Sequence, residues 1–139
     1  MNILYKTRAT SVGGRGGHAE TDDGLLKVNL VRPKELGGTG VGGTNPEQLF
    51  ACGYAACFVS TIEHIARQKK VAVEGVRVDA EVGMGQRPQG GLGLTAELTV
   101  HLPGVDRAVA EDLVNTAHHT CPYSNAIHGN VDVVIRFAD

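Results

Sequence analysis

An α+β fold of mainly antiparallel sheets, with about six strands and two main helices, is predicted by two features of the sequence. Apolar residues recur at every second position in several stretches, and two intervening segments switch to helical spacing. No strand–helix unit repeats along the chain, as a doubly wound parallel sheet would require.

In chain order, Ile3, Tyr5, Thr7 and Ala9 open with period-two alternation, and Leu26, Val28 and Leu30 resume it. Such patterns suit strands with one buried face. Later runs are cleaner: Val76 to Val82, Leu92 to Val100 and Val131 to Phe137 each keep one apolar side. The RPQGG sequence at 87 to 91 supplies the turn between the first two.

The first helix announces its start in TNPEQLFACGYAACF, positions 44 to 58. Asn45 is suited to the N-cap, Pro46 sits where a missing N–H costs nothing, and Glu47 places negative charge in the first turn. Leu49, Cys52, Gly53, Ala56, Cys57, Ser60 and Ile65 follow at helical spacing. Small residues dominate one side, which implies close approach of another helix or backbone. The second helix begins after Asp106, runs through Val109, Ala110, Leu113 and Ala117, and must end before Pro122. Cys121 then lies just past its C-terminus.

A chain of 139 residues with 42% hydrophobic content has enough material for a single domain, residues 1–139. A formal charge of -2 with mixed signs leaves no basic stripe for phosphate neutralisation. Without Trp, and with 4% aromatics, base stacking is also disfavoured, so no nucleic-acid partner is expected. The N-terminus lacks a charged segment leading into an apolar run, and no stretch approaches ~18 consecutive apolar residues. The expected setting is cytoplasmic, with no membrane partner. Three cysteines without a secretory signal argue against a disulfide framework.

Two motifs invite functional readings and are set aside. Gly38, Gly40 and Gly43 satisfy G-x-G-x-x-G before a helix. A dinucleotide site, however, needs a parallel sheet and an acidic residue after the next strand. A mobile loop is the preferred reading. His118, His119, Cys121 and His128 cluster in sequence, but adjacent helical residues point about 100° apart. These histidines read as helix-end and surface residues, and neither a metal nor a cofactor is expected.

The thiols remain. Cysteine among alanine and phenylalanine is usually a small core residue, and Cys52 is expected to be a buried bystander. A thiolate at mid-helix Cys57 gains little from the helix N-terminus and would need a cation from elsewhere. Arg15, flanked by glycine in VGGRGGH, is one source, although an arginine in such a loop is more often simply solvated.

TNPEQLFACGYAACF together with HHTCPYSNAIHGNVDV, and the opening YKTRATSVGGRGG, resemble the organic hydroperoxide resistance (Ohr) proteins of the OsmC/Ohr superfamily over essentially the whole chain. The resemblance implies a thiol-dependent peroxidase that reduces alkyl and lipid hydroperoxides to alcohols. It places the peroxidatic cysteine on Cys57, the resolving cysteine on Cys121, and the accompanying arginine and glutamate on Arg15 and Glu47. Attack by a Cys57 thiolate would leave a sulfenic acid, which Cys121 would convert to a disulfide. Lipoylated proteins or small dithiols are the implied reductants, with no prosthetic group. Phe50, Phe58 and Ile127 are candidates for an apolar substrate wall.

The resemblance also implies an intertwined homodimer with sites at the interface. Ten helical positions separate Glu47 from Cys57 by about 15 Å, so the two cannot meet along one unbroken helix. Arg15 and Glu47 are therefore expected to serve the Cys57 of a partner chain. Two departures from the family pattern stand out: Gly16 where an acidic residue is common, and Cys52 where alanine is usual. Two other readings stay open, a sister branch of the superfamily with different peroxide or reductant preference, and a non-catalytic metal- or ligand-binding protein.

Overall fold

The computed structural model describes residues 1–138 and divides the chain into two compact units, residues 1–49 and residue 50 onward. The first unit is a three-stranded antiparallel sheet of β1 (Ala9–Val12), β2 (His18–Thr21) and β3 (Lys27–Asn29), in that order. Two hydrogen-bonded segments extend it. Leu30 N–H donates to the Gly17 carbonyl at 2.8 Å, and Val31 N–H to the Thr44 carbonyl at 2.8 Å, so the approach to the first helix lies against the end of β3. Gly43 has to be glycine for this: a Cβ there would sit 2.6 Å from the Asn29 carbonyl oxygen.

Helix α1 (Pro46–Lys69) begins where the capping signals place it, with Asn45 Oδ1 accepting from Gln48 N–H at 2.9 Å. In the second unit its buried face is Tyr54, Phe58, Ile62, Ile65 and Ala66, at the expected spacing of three to four residues. Cys52, Ala56 and Ser60 lie on the opposite side and are exposed. The best 18-residue window of α1 has a mean hydropathy of 1.4 and is 33% buried within the chain. By length and composition α1 could therefore cross a membrane. Counting consecutive apolar residues did not anticipate this, because scattered Ala and Cys carry the average.

Two long strands follow, β4 (Arg77–Gln86) and β5 (Leu92–His101), paired antiparallel from Arg77↔His101 to Gln86↔Leu92. Helices α2 (Arg107–Thr120) and α3 (Pro122–Ile127) then lead to β6 (Val133–Phe137), which joins β5 in parallel. Ala96, Leu98 and Val100 alternate onto one face of β5 and meet Tyr54, Phe58, Ile62, Val114 and Ala117 in the main core. Asp106 caps α2 as its sequence suggests, its carboxylate accepting from the N–H groups of Ala108 and Val109.

The α+β class, a total of about six strands, the start of α1 and the limits of α2 agree with the pattern-based reading. Four details differ. The alternation at residues 3–9 forms no strand before Ala9, and Ile3, Leu4 and Tyr5 are exposed, with no strand among the described residues paired to them. His18–Thr21 pairs on both sides although HAET has no apolar period, because register there is set by its neighbours. Pro122 ends α2 but also opens α3, where proline at the first position is favourable. The last strand is parallel, since the two helices supply a crossover long enough to bring the chain back in the same direction.

Candidate active site

Arg15 is carried by a tight 3₁₀ turn, Gly14–Gly16, that joins β1 to β2. The hydrogen bonds linking Gly17 to Leu30 and Thr44 to the end of β3 bring the first turn of α1 back to the same end of this sheet. Glu47 consequently meets Arg15 in a two-bond fork, Nη1 to Oε2 at 2.7 Å and Nη2 to Oε1 at 2.5 Å. Such planar bidentate pairing fixes the guanidinium in direction as well as position. The hydrogen bonds from Arg15 hold the Glu47 carboxyl below its usual value, and Glu47 raises Arg15 in turn. Both stay ionised through the neutral range.

Within the second unit, Cys57 stands mid-helix, partly buried against the core cluster that includes Tyr54 and Phe58. Cys121 occupies the junction of α2 and α3 and is fully buried. Its N–H bonds the Ala117 carbonyl at 2.7 Å, and its own carbonyl accepts from Asn125 N–H at 2.9 Å, so one residue closes α2 and opens α3. The result is a thiol pair far apart in sequence: Cys121 Sγ lies 3.5 Å from Cys57 Sγ, and both are free. A disulfide needs about 2.05 Å, which is a short travel for a side chain.

Electrostatics around Cys57 in this unit oppose ionisation. Burial pushes its thiol up, the adjoining Cys121 sulfur adds to that, and only the Tyr123 backbone N–H draws it down. Several aromatic rings belong to the same core cluster as the pair or adjoin it. Phe50 meets Tyr54 edge-on at 5.9 Å between centroids, and Tyr123 lies 6.0 Å from Tyr54. Tyr123 reaches this position over Gly53, where a Cβ would come within 2.9 Å of its hydroxyl.

Of the residues singled out from sequence, Arg15 and Glu47 converge in one unit and Cys57 and Cys121 in the other. Phe50 and Ile127 are partly buried against the core, and Phe58 is fully buried within it. Cys52 is exposed, contrary to the expectation of a buried side chain, because the small-residue side of α1 faces away from the sheet. The glycine-rich segment before α1 packs as an irregular loop beside β3, and among the described residues no three His, Cys, Asp or Glu side chains converge as metal ligands would. Tyr123 and Ser124 were missed in the sequence. The only signal for them was their place in CPYS directly after a candidate cysteine.

Two free thiols 3.5 Å apart on an α+β frame are the feature that sets this chain's second unit apart. An OsmC-like protein family model matches residues 37–136. An organic hydroperoxide resistance protein of Xanthomonas axonopodis pv. citri is 50% identical over 98% of this chain and 96% of its own. The organic hydroperoxide resistance protein OhrB of Bacillus subtilis is 44% identical over 96% of this chain and 97% of its own. Among solved structures, an organic hydroperoxide resistance protein from Legionella pneumophila superposes with a TM-score of 0.94 at 51% identity, covering 99% of this chain and 100% of that one. The chain belongs to the OsmC family, and within it to the organic hydroperoxide resistance proteins.

Proposed function

We propose that this protein is a two-cysteine peroxidase that reduces organic hydroperoxides to alcohols. The observation that carries this is the approach of two free thiols, Cys57 and Cys121, to 3.5 Å across the α1–α2 packing. In the first step the Cys57 thiolate attacks the terminal peroxide oxygen, the O–O bond breaks, and the alkoxide leaves as alcohol after taking up a proton. Cys57 is then a sulfenic acid. Cys121 next forms the S–S bond while the sulfenic hydroxyl departs as water with the Cys121 proton. A dihydrolipoyl group or another small dithiol would restore both thiols, itself closing to a disulfide.

Burial raises the Cys57 thiol, so efficient attack at neutral pH requires a cation close by. Arg15, permanently charged and oriented by Glu47, has that chemistry and can also donate hydrogen bonds to the peroxide. Ten positions separate Glu47 from Cys57 in the sequence of α1 (Pro46–Lys69), which at the usual helical rise is about 15 Å, too far for the two side chains to meet. We therefore assign Arg15 and Glu47 to the Cys57 of a second copy in a homodimer. Supporting this, the first unit buries little by itself: Leu4, Leu25 and Val41 are 92%, 89% and 72% exposed, and every β1 residue is exposed. A segment this small does not ordinarily leave so many apolar groups in water. The ring cluster of Phe50, Tyr54 and Tyr123 favours alkyl or fatty-acyl peroxides over hydrogen peroxide.

The test is mass spectrometry of the reduced protein after one equivalent of an alkyl hydroperoxide. A peroxidase of this kind loses two hydrogens and links Cys57 to Cys121. Slow oxidation scattered over all three cysteines would instead indicate a binding protein.

A further inference from the structure

Beyond the two thiols, the second unit contains a largely buried polar chain that the chemistry above does not use. Tyr54 Oη on α1 lies 2.8 Å from Ser124 Oγ on α3, and Ser124 Oγ lies 3.1 Å from His118 Nδ1 on α2. Tyr54 is 0% exposed and Ser124 3% exposed. One hydroxyl thus joins the three helices that surround Cys57 and Cys121.

Donor accounting fixes its direction. Tyr54 has no other hydrogen-bond partner among the described residues, and its O–H is buried. It must donate to Ser124, because the reverse arrangement would strand that proton. Ser124 then donates its own proton to His118 Nδ1, which accepts, leaving the imidazole proton on Nε2. A neutral His118 is consistent with the downward push of burial and of the neighbouring His119 and His128.

The place of Ser124 gives the chain a purpose. Helix α3 has six residues, too few to be stable alone, yet its N-cap is Cys121 and its Tyr123 N–H faces the Cys57 sulfur. We infer that Ser124 is a positioning residue for disulfide closure: bound to Tyr54 and His118, it holds α3 in the register from which Cys121 reaches the oxidised Cys57. This inference rests on the peroxidase reading. Closure forms the S–S bond, breaks the S–O bond of the sulfenic acid and releases water, and it needs the Cys121 sulfur on line with that S–O bond. Peroxide attack needs only Cys57.

The test compares full-length wild type, Ser124→Ala and the double variant Tyr54→Phe/Ser124→Ala, each reduced and mixed with one equivalent of cumene hydroperoxide. Peroxide consumption, dimedone-trapped Cys57 sulfenic acid and the Cys57–Cys121 link are followed separately. In Ser124→Ala, consumption should stay within about twofold of wild type while closure slows at least about tenfold and the dimedone adduct accumulates. Should the single variant fold poorly, the double variant decides. Removing the Tyr54 O–H abolishes the orphaned donor and should return the thermal midpoint toward wild type, with closure still slow. Closure at the wild-type rate in Ser124→Ala, or its recovery with the midpoint in the double variant, overturns the positioning role. A wild-type protein that consumes no peroxide overturns the peroxidase reading beneath it, and that result is visible without either variant.

Discussion

Cys57 sits in surroundings that, within its own unit, raise its thiol, while Arg15 and Glu47 form an ion pair whose guanidinium is fully committed in direction. Replacing the arginine with lysine keeps a charge but loses the planar fork. Arg15→Lys and Arg15→Gln are both expected to fall by about a hundredfold or more in the rate of Cys57 oxidation, the scale of losing one preorganised charged donor. Stopped-flow peroxide kinetics on the reduced protein measure this, and a lysine variant matching wild type would remove the need for the fork. Cys52 is a different kind of residue. Exposed on the side of α1 turned away from the sheet, and five positions from Cys57, it is about 140° around and ~7.5 Å along the helix. Cys52→Ala should keep full peroxidase turnover, and the alkyl-peroxide assay with a dithiol reductant is the check.

At the scale of elements, the site depends on where helices begin and end. Cys121 is held by the Ala117 carbonyl in the last turn of α2 and by the first turn of α3, so a frayed α2 displaces the thiol. Asp106 prevents fraying at the other end of α2 by accepting from two backbone N–H groups. Asp106→Ala should cost about 1 kcal/mol in urea or thermal unfolding, the usual value of an N-cap, with the midpoint shifted and the denaturant slope unchanged. The core beneath is less forgiving. Leu98 on β5 is 0% exposed and packs among α1 and α2 side chains. Leu98→Ala should lose about 2–5 kcal/mol, from lost burial plus the cavity left behind.

For the whole molecule, two groups tie stability to acidity with opposite origins and the same sign. Glu47 is depressed below its ordinary 4.5 by Arg15, so its contribution is complete above that value and disappears as pH falls through the lower folded value. His118 is depressed below 6.5 by burial, so the unfolded chain takes up the proton first and stability declines on acidification from about that pH downward. A shallow loss of unfolding free energy should begin near pH 6.5 and be absent in His118→Gln; a pH-independent wild type between 5 and 7 would contradict it. Assembly gives a sharper prediction. Coexpressed Cys57→Ser and Arg15→Gln chains would form mixed dimers with one intact site if Arg15 serves the partner. Activity should return to a substantial fraction of wild type, whereas sites built within one chain would stay inactive.

Much of this was legible in the residues themselves. Asn45-Pro46 and Asp106 mark helix starts through local capping, β4 and β5 declare themselves by strict alternation, and Pro122 stops α2 by sterics alone. Each of those signals operates within a few positions, which is why sequence patterns expose them. β2, α3 and the parallel placement of β6 escaped, because each is decided by a neighbour distant in the chain. The same division runs through the site. The motifs around Cys57 and Cys121 named the thiols, but only folding brings sulfurs 64 residues apart to 3.5 Å. It also sets Arg15 on Glu47 across 32 residues and joins buried Tyr54 and Ser124 to half-buried His118 in one chain of hydrogen bonds. Local sequence determines where helices and strands begin and which reactive groups they carry. Their distances, ionisation and partners depend on desolvation and contact between remote segments, which the tertiary structure alone supplies.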